Sequence, residues 1–402
     1  MHLTPALTAA VRHHAAQDGQ RSFYLYDTAP MQRKIAALRT LMPTGVEIFY
    51  AMKANPHPAF LAAALAADVV GVEIASLGEA RKAVAAGFTP ERLIFTGPGK
   101  APEELAWSVA QRIRAVHLES LTEAYRLEAL CAANGVTQDV LLRVNPNFDI
   151  HGAQASFSGG SQKLGVDVEK LHQILPHILA LKHLRFQGLH VYAASGVLRV
   201  EDLLQNCRLV FTMVHDVETR FPNVRCATID FGGGFGVDYL ESGHDFAPEV
   251  YAAGLKDLIA THGLSDRRFV LELGRYLTAD SGWYCTEILD IKTSHGTKQV
   301  VCAGGTNHFR RPAALSINHP VVIVPMQRPK LFVEQESVAH EKIYIGGPLC
   351  NTADKLAKDI LIDAAAIGDM AVFCLAGAYG LTMSHLEFLS HDRPPEIVVA
   401  VA

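Results

Sequence analysis

Residues 46–75 read VEIFYAMKANPHPAFLAAALAADVVGVEIA. VEIFYAM is an apolar, β-rich run, 56–66 places Ala and Leu at helical spacing, and VVGVEIA from Val69 is β-rich again. The stretch is a strand, a helix and a second strand, and the unit repeats. RLIFTG starts at 92 and AVHLES at 115, so the first four runs begin twenty-three residues apart. VLLRVN from 140, LRFQGLHVY from 184, VRCATIDF from 224 and RFVLELG from 268 bring the runs to eight, with helical patterns at 78–86, 102–111 and 121–134 between the earlier ones. Eight β-then-α units predict an α/β protein built on a closed (β/α)8 TIM barrel, assigned to residues 28–275.

From about Tyr276 the rhythm changes. YCTEILDIK, KQVVCAGG, VVIVPM, KLFVEQ, EKIYIGG, MAVFCLAG and EIVVAVA follow one another with little helix between them, which predicts a C-terminal all-β domain. SFYLYD at 22–27 precedes the first barrel helix and has no barrel partner, so residues 1–27 are assigned with 276–402 to that domain.

Composition removes several classes of function. The chain has 402 residues, 49% of them apolar and 19% charged, which fits a large ordered core and excludes disorder. Thirty-six Lys and Arg against 41 Asp and Glu give a net charge of −5, and no long basic run is present to track phosphates, so nucleic acid is not an expected partner. No uncharged apolar run reaches the ~18 residues of a membrane span, and the first residues carry His and Arg where a signal peptide needs apolar ones. A soluble, cytoplasmic protein is expected. The 7 cysteines are dispersed without C-x-x-C spacing, so neither a disulfide scaffold nor a structural metal site is expected.

In a barrel the chemistry gathers where the strands end. Lys53, in YAMKAN after the first run, is either an ordinary exposed lysine or a desolvated Schiff-base former. DFGGGFG (230–236), after the seventh, is either a tight connection or a loop whose backbone N–H groups approach a phosphate. ELGR (272–275), after the eighth, supplies Glu272 and Arg275, a surface pair or a carboxylate beside a phosphate partner. GLHVYAASG (188–196) offers His190, Tyr192 and Ser195; its two rings alternate onto one face, where they serve a core or one stacks on a flat cofactor. In the β domain, GGPLCNTAD (346–354) carries Cys350, Asn351 and Asp354, and AGAYG (376–380) carries Tyr379 between small residues. A Schiff-base lysine, a phosphate loop, a carboxylate for a ring nitrogen and an aromatic stacker together describe a pyridoxal phosphate site.

With these motifs in this order, the chain resembles, over essentially its whole length, the fold-type III pyridoxal phosphate enzymes. Their barrel is of the alanine racemase type, and the resemblance is in particular to the decarboxylase branch that contains diaminopimelate, ornithine and arginine decarboxylases. The resemblance implies that Lys53 carries the cofactor and that Glu272 meets its ring nitrogen. Ser195, Gly233, Gly234, Gly274, Arg275 and Tyr379 would hold the rest of it, and Tyr192 would stack where most relatives have His. It implies further that Cys350 comes from the second subunit of a homodimer with shared active sites and protonates carbon once CO2 has left, and that no metal is needed. Diaminopimelate decarboxylases carry Glu after the motif cysteine; Asn351 stands here. Fold-type III racemases place Arg at the ring nitrogen, so Glu272 favours decarboxylation. A catalytically dead, decarboxylase-like binding protein is the alternative from another class, disfavoured because the motif residues are all present.

A narrower resemblance covers TEILDIKTSHGT (286–297), GGTNHFRRP (304–312), INHP (317–320) and AGAYGLTMSHLEFLSH (376–391). These look like the siderophore-pathway decarboxylases that act on an amino acid already joined to citrate. The implied reaction takes citryl-L-2,3-diaminopropionate to citryl-diaminoethane, with Arg310, Arg311, His190, Asn351 and Asp354 as substrate-binding candidates. Diaminopimelate- or ornithine-type substrates and a carrier-bound amino acid are the alternatives, the last because relatives of that kind also carry Tyr where Tyr192 stands. The Gly- and Ser-rich stretch 149–164 is either a lid or a plain surface loop.

Overall fold

The computed structural model describes residues 2–17, 19–147, 155–156, 161–326 and 335–401. The stretch read as a lid falls mostly outside these residues, as does the run KLFVEQ apart from Gln335. The chain divides into two compact units. One is Gln32–Val237 with Asp245–Tyr276, and the other is Met1–Met31, Asp238–His244 and Leu277–Ala402.

The first unit is a closed eight-stranded parallel barrel. Its strands are, in chain order, Val46–Ala51, Gly71–Ile74, Leu93–Phe95, Ala115–Leu118, Gln138–Asn145, Leu184–His190, Thr228–Asp230 and Arg268–Leu273. Around the ring the fourth, third, second, first, eighth, seventh, sixth and fifth are neighbours, and pairing of Val116 with Val140 through Leu118 with Leu142 closes it. The helices between them begin where side chains can cap them. Ser76 and Ser120 accept from the N–H of Glu79 and Glu123 at the starts of Leu77–Ala85 and Leu121–Asn134, caps worth about 1 kcal/mol each. Gly135, at φ +62°, ends the second of these helices in the left-handed conformation that glycine adopts without strain.

Strand alternation then fills the barrel in layers. Phe49, Ile94, Ala115, Leu141 and Val270, from five different strands, form one buried apolar cluster. Two residues further along three of those strands lie His117, Arg143 and Glu272, so the next layer toward the C-terminal end is polar.

The second unit is mostly sheet. Gly282–Ser294 is its spine: Ser22–Tyr26, Met370–Phe373 and Thr297–Cys302 all pair with it antiparallel. Val321–Val324 extends one side, and Val338–Gly346 followed by Lys355–Ala365 extends the other. The strand Ser22–Tyr26 therefore has its partner in this unit, in the register Ser22 with Thr286 through Tyr26 with Gly282. The helix Pro5–Ala15 buries Leu7, Val11 and Ala15 in a cluster with Phe23, Leu25, Cys285, Val324, Met370 and Val372. Each large apolar side chain there contributes about 1.5–3 kcal/mol. The sequence did not announce Lys355–Ala365: KLAKDILIDAA is rich in Ala, Lys and Asp, and among the described residues the strand pairs on one side only. No helix of the described residues is long and apolar enough to cross a membrane.

Candidate active site

A polar layer inside a barrel must satisfy its own charges, because burying an unpaired one is costly. Most of this layer does so. Arg143 donates to Glu119 Oε1 at 3.0 Å, and Glu119 also accepts the N–H groups of Gly97 and Gly165. Lys100 donates to Glu123 at 2.6 Å and to the carbonyls of His117 and Gly97. Lys53 sits on the single turn Met52–Ala54 that follows the first strand, and its Nζ donates to both oxygens of Glu73 at 2.7 and 2.8 Å. The Glu73 side chain is fully buried while that of Lys53 keeps 36% of its exposure, so the ammonium stands at the mouth with its counter-ion beneath it.

Glu272 belongs to a group that is not satisfied in this way. His117 from the fourth strand, His190 from the end of the sixth, Asp230 from the end of the seventh and Glu272 from the eighth are all buried. His117 Nε2 is 3.5 Å from Asp230 Oδ2, and its Nδ1 is 3.7 Å from Glu272 Oε1. His190 Nε2 is 3.7 Å from Glu272 Oε2, and the two imidazole rings lie 4.4 Å apart. Glu272 Oε1, Asp230 Oδ2 and both nitrogens of each histidine have no hydrogen-bond partner among the described residues. Burial pushes the Asp230 carboxyl up to about 8, and burial with Asp230 and Glu73 nearby pushes Glu272 well above the usual carboxylate range.

The glycine loop is held between the sixth and eighth strands. Glu272 N–H donates to Gly232 O at 2.8 Å, Asp230 Oδ1 accepts from Gly232 N–H at 2.7 Å, and Val197 N–H donates to Gly234 O at 2.9 Å. A Cβ on Gly233 would lie 2.5 Å from the Glu272 carbonyl oxygen, and one on Gly232 would lie 2.6 Å from the Tyr192 ring, so side chains are excluded here by contact. Half-buried Tyr192 therefore covers the loop. Arg275 Nη2 donates to Ser195 Oγ at 3.4 Å, which brings those two predicted phosphate ligands together. Gly274 lets the Lys53 turn lie against the eighth strand, since a Cβ there would meet that of Ala54 at 2.8 Å.

These residues fit pyridoxal phosphate. Glu272 Oε1 is a buried carboxylate oxygen that no donor among the described residues meets, residues 232–234 of the adjoining loop carry no side chains, and Lys53 directly follows the first strand. Lys53, Tyr192, Ser195, Gly233, Gly234, Glu272, Gly274 and Arg275 all belong to the barrel unit.

The candidates in the other unit fare unevenly. Cys350 is exposed, alone among the seven free cysteines, and Asn351 beside it is exposed too. Tyr379 is half-buried in the left-handed conformation at φ +54°. Arg310 lines a cavity of about 490 Å³ with Thr306, Asn351, His385 and Phe388. Three substrate-binding candidates are buried. Arg311 is fully buried, with its guanidinium 3.8 Å from the centre of the Tyr239 ring and Nη1 donating to His319 Nε2, so it supports the fold under Arg310. Asp354 is also buried, and its carboxylate accepts from Thr306 N–H, Thr306 Oγ and Leu349 N–H. Both of its oxygens hold the loop. His190 faces Glu272 from within the barrel and is 1% exposed.

Sequence reasoning passed over Glu73, His117 and Arg143. Each stands inside an apolar run, two places beyond an inward-facing residue or at a strand end, and alternation alone would have marked them.

Residues 28–279 match the pyridoxal-dependent decarboxylase, pyridoxal binding domain. The chain is 32% identical over 382 residues, 94% of each protein, to the 2-[(L-alanin-3-ylcarbamoyl)methyl]-2-hydroxybutanedioate decarboxylase of Staphylococcus aureus. It is 31% identical over 385 residues, 94% of this chain and 88% of the other, to the L-glutamyl-[BtrI acyl-carrier protein] decarboxylase of Niallia circulans. Among solved structures, diaminopimelate decarboxylase from Helicobacter pylori complexed with L-lysine superimposes with a TM-score of 0.85 at 24% identity, covering 95% of this chain and 92% of that one, a likeness of fold.

Proposed function

Since this chain belongs to the pyridoxal-dependent decarboxylase family, we propose that it removes CO2 from an amino acid already joined to citrate. The substrate is citryl-L-2,3-diaminopropionate, the product citryl-diaminoethane, and the reaction a step of siderophore assembly in the cytoplasm.

Bound pyridoxal phosphate supplies the electron sink that accepts the pair left behind by CO2. The chain's own residues do the rest. Lys53 would hold the cofactor covalently, with Glu73 keeping its amine positioned. Glu272 would meet the ring nitrogen, Ser195, Arg275, Tyr379 and the backbone of Gly233 and Gly234 would hold the phosphate, and Tyr192 would stack on the ring. Cys350 Sγ, presented to the partner's site in a homodimer, delivers a proton to the carbon that lost its carboxylate.

The observation that supports a citryl substrate is the cavity beside the Cys350 loop. Arg310 and His385 line it with Thr306 and Asn351, and among the described residues no carboxylate does, so it suits the carboxylates of a hydroxybutanedioate group. The S. aureus relative's name carries that group. A carrier-bound amino acid is the second reading, favoured by 31% identity to the N. circulans enzyme.

The test is CO2 release from purified protein loaded with pyridoxal phosphate, with citryl-diaminopropionate, a carrier-bound glutamyl thioester, meso-diaminopimelate, ornithine and lysine offered side by side. Turnover of the citryl conjugate is expected, with Arg310→Ala raising its KM about 10- to 100-fold and leaving kcat nearly unchanged. Mixing Lys53→Ala with Cys350→Ala protein should restore about a quarter of wild-type activity if the sites are shared. Turnover confined to the free amino acids or the thioester, or an unmoved KM, would sink the citryl assignment; no restoration would sink the sharing.

A further inference from the structure

Glu272 needs a negative charge when a cofactor ring nitrogen carries a proton, yet it lies in a layer that opposes a second negative charge. The buried neighbours suggest how both demands are met. His117 faces both carboxyl groups, one ring nitrogen toward each, at 3.5 Å from Asp230 and 3.7 Å from Glu272, and the two carboxyl groups also meet each other. An imidazole donates from one nitrogen and accepts at the other, and its tautomers exchange those roles. In one arrangement Asp230 Oδ2–H donates to His117 Nε2 while His117 Nδ1–H donates to an ionised Glu272. In the other, Glu272 Oε1–H donates to Nδ1 while Nε2–H donates to an ionised Asp230. Passage between them moves one proton onto the ring and one off it, with nothing gained or lost.

We propose that His117 is a positioning residue that relays the single proton shared by Asp230 and Glu272, leaving Glu272 ionised whenever a protonated ring nitrogen faces it. Side-chain shifts of less than an ångström bring the nitrogens to hydrogen-bond distance, about 2.7–2.9 Å. Burial acts in the same direction, since it opposes two ionised carboxyls side by side and keeps His117 neutral. The other groups facing this cluster are His190 on the sixth strand, Lys53 and Glu73 on the first and second, Lys100, and Arg143 on the fifth. Lys53 and Arg143 are paired with Glu73 and Glu119, so neither is available to neutralise Asp230. The inference rests on cofactor binding by the barrel and stands whichever amino acid conjugate is used.

The experiment is 15N NMR of protein loaded with pyridoxal phosphate labelled at the ring nitrogen, recorded from about pH 6 to pH 9, together with the dissociation constant of the cofactor. Wild type should keep the protonated resonance throughout. His117→Leu should move it toward the unprotonated position within that range and weaken cofactor binding at least about tenfold. His117→Gln bridges the carboxyls without tautomers, so it should recover folding and most of the affinity while the nitrogen still titrates. A folded His117→Gln protein with the wild-type resonance at every pH would overturn the relay. So would uptake of one Co2+ or Zn2+ by cofactor-free wild type that His117→Gln loses, since the cluster would then be a metal site.

Discussion

The Lys53–Glu73 pair is asymmetric, and the asymmetry predicts how each partner's loss is felt. Glu73 has no exposure, whereas the lysine stem ends where water can reach it. Removing the carboxylate with Glu73→Gln leaves an ammonium that can turn to solvent, and the cost is about 1–2 kcal/mol. Removing the ammonium with Lys53→Met strands a carboxylate in the barrel interior, at about 3–5 kcal/mol unless it takes up a proton. Urea unfolding of cofactor-free protein should therefore rank Lys53→Met below Glu73→Gln, with the double variant Lys53→Met/Glu73→Gln recovering most of the difference. Equal losses from the two single changes would show that water already reaches Glu73. Lys53→Met should also abolish the visible absorbance of bound cofactor, which Glu73→Gln should retain.

At the scale of elements, the 346–354 loop shows how an exposed cysteine is presented from outside a strand. Asp354 ties Leu349 and Thr306 together, and a Cβ on Gly347 would lie 2.1 Å from the Gly305 Cα, so this loop and the 304–306 turn are pressed backbone to backbone. Gly347→Ala must part them and displace Cys350. We expect kcat to fall about 100-fold, as for a roughly 1 Å misplacement of a reacting group, with cofactor affinity unchanged because the barrel ligands are untouched. A parallel fall in cofactor affinity would mean that the loop also shapes the cofactor site. Sequence patterns reach this level only in part. The barrel was legible because eight apolar runs recur in step with helices, and the glycine loop because three consecutive glycines have few structural uses. Which of the adjacent Arg310 and Arg311 faces the cavity was not legible: the short helix Arg311–Leu315 begins between them and turns the second inward. The burial of Asp354 was not legible for a similar reason, since its spacing from Cys350 is visible in the chain but the groups that donate to its oxygens are not.

For the whole molecule, the buried titratable groups predict an unusual dependence of stability on pH. Asp230 is raised to about 8 and Glu79 to about 7, both chiefly by burial, and Glu272 is raised in the same direction. Each binds a proton in the folded state that its unfolded counterpart releases near pH 4, so each contributes stability at low pH that is lost as pH rises toward the folded value. His14, His117, His190, His262 and His308 are lowered, again chiefly by burial, and act oppositely: unfolding gains protons below about pH 6.5, so their contribution grows as pH rises to that point. Between about pH 5 and 6.5 the two sets largely cancel. Above about pH 7 the unfolded histidines are largely neutral and the raised groups dominate, a carboxyl still protonated in the folded state costing about 1.4 kcal/mol per pH unit and one already past its folded value costing less. The lowered carboxylates Glu91, Glu128, Asp238 and Glu336 titrate below this window. Cofactor-free protein should therefore lose stability in urea between about pH 7 and pH 8, and Asp230→Asn should flatten the slope by the equivalent of one proton. Loading with pyridoxal phosphate should flatten it as well, because a protonated ring nitrogen gives Glu272 the counter-charge that the barrel withholds. A stability that stays level across that window in the cofactor-free protein would mean that the cavity admits enough water to ionise Asp230, and the slope seen in Asp230→Asn would then match wild type.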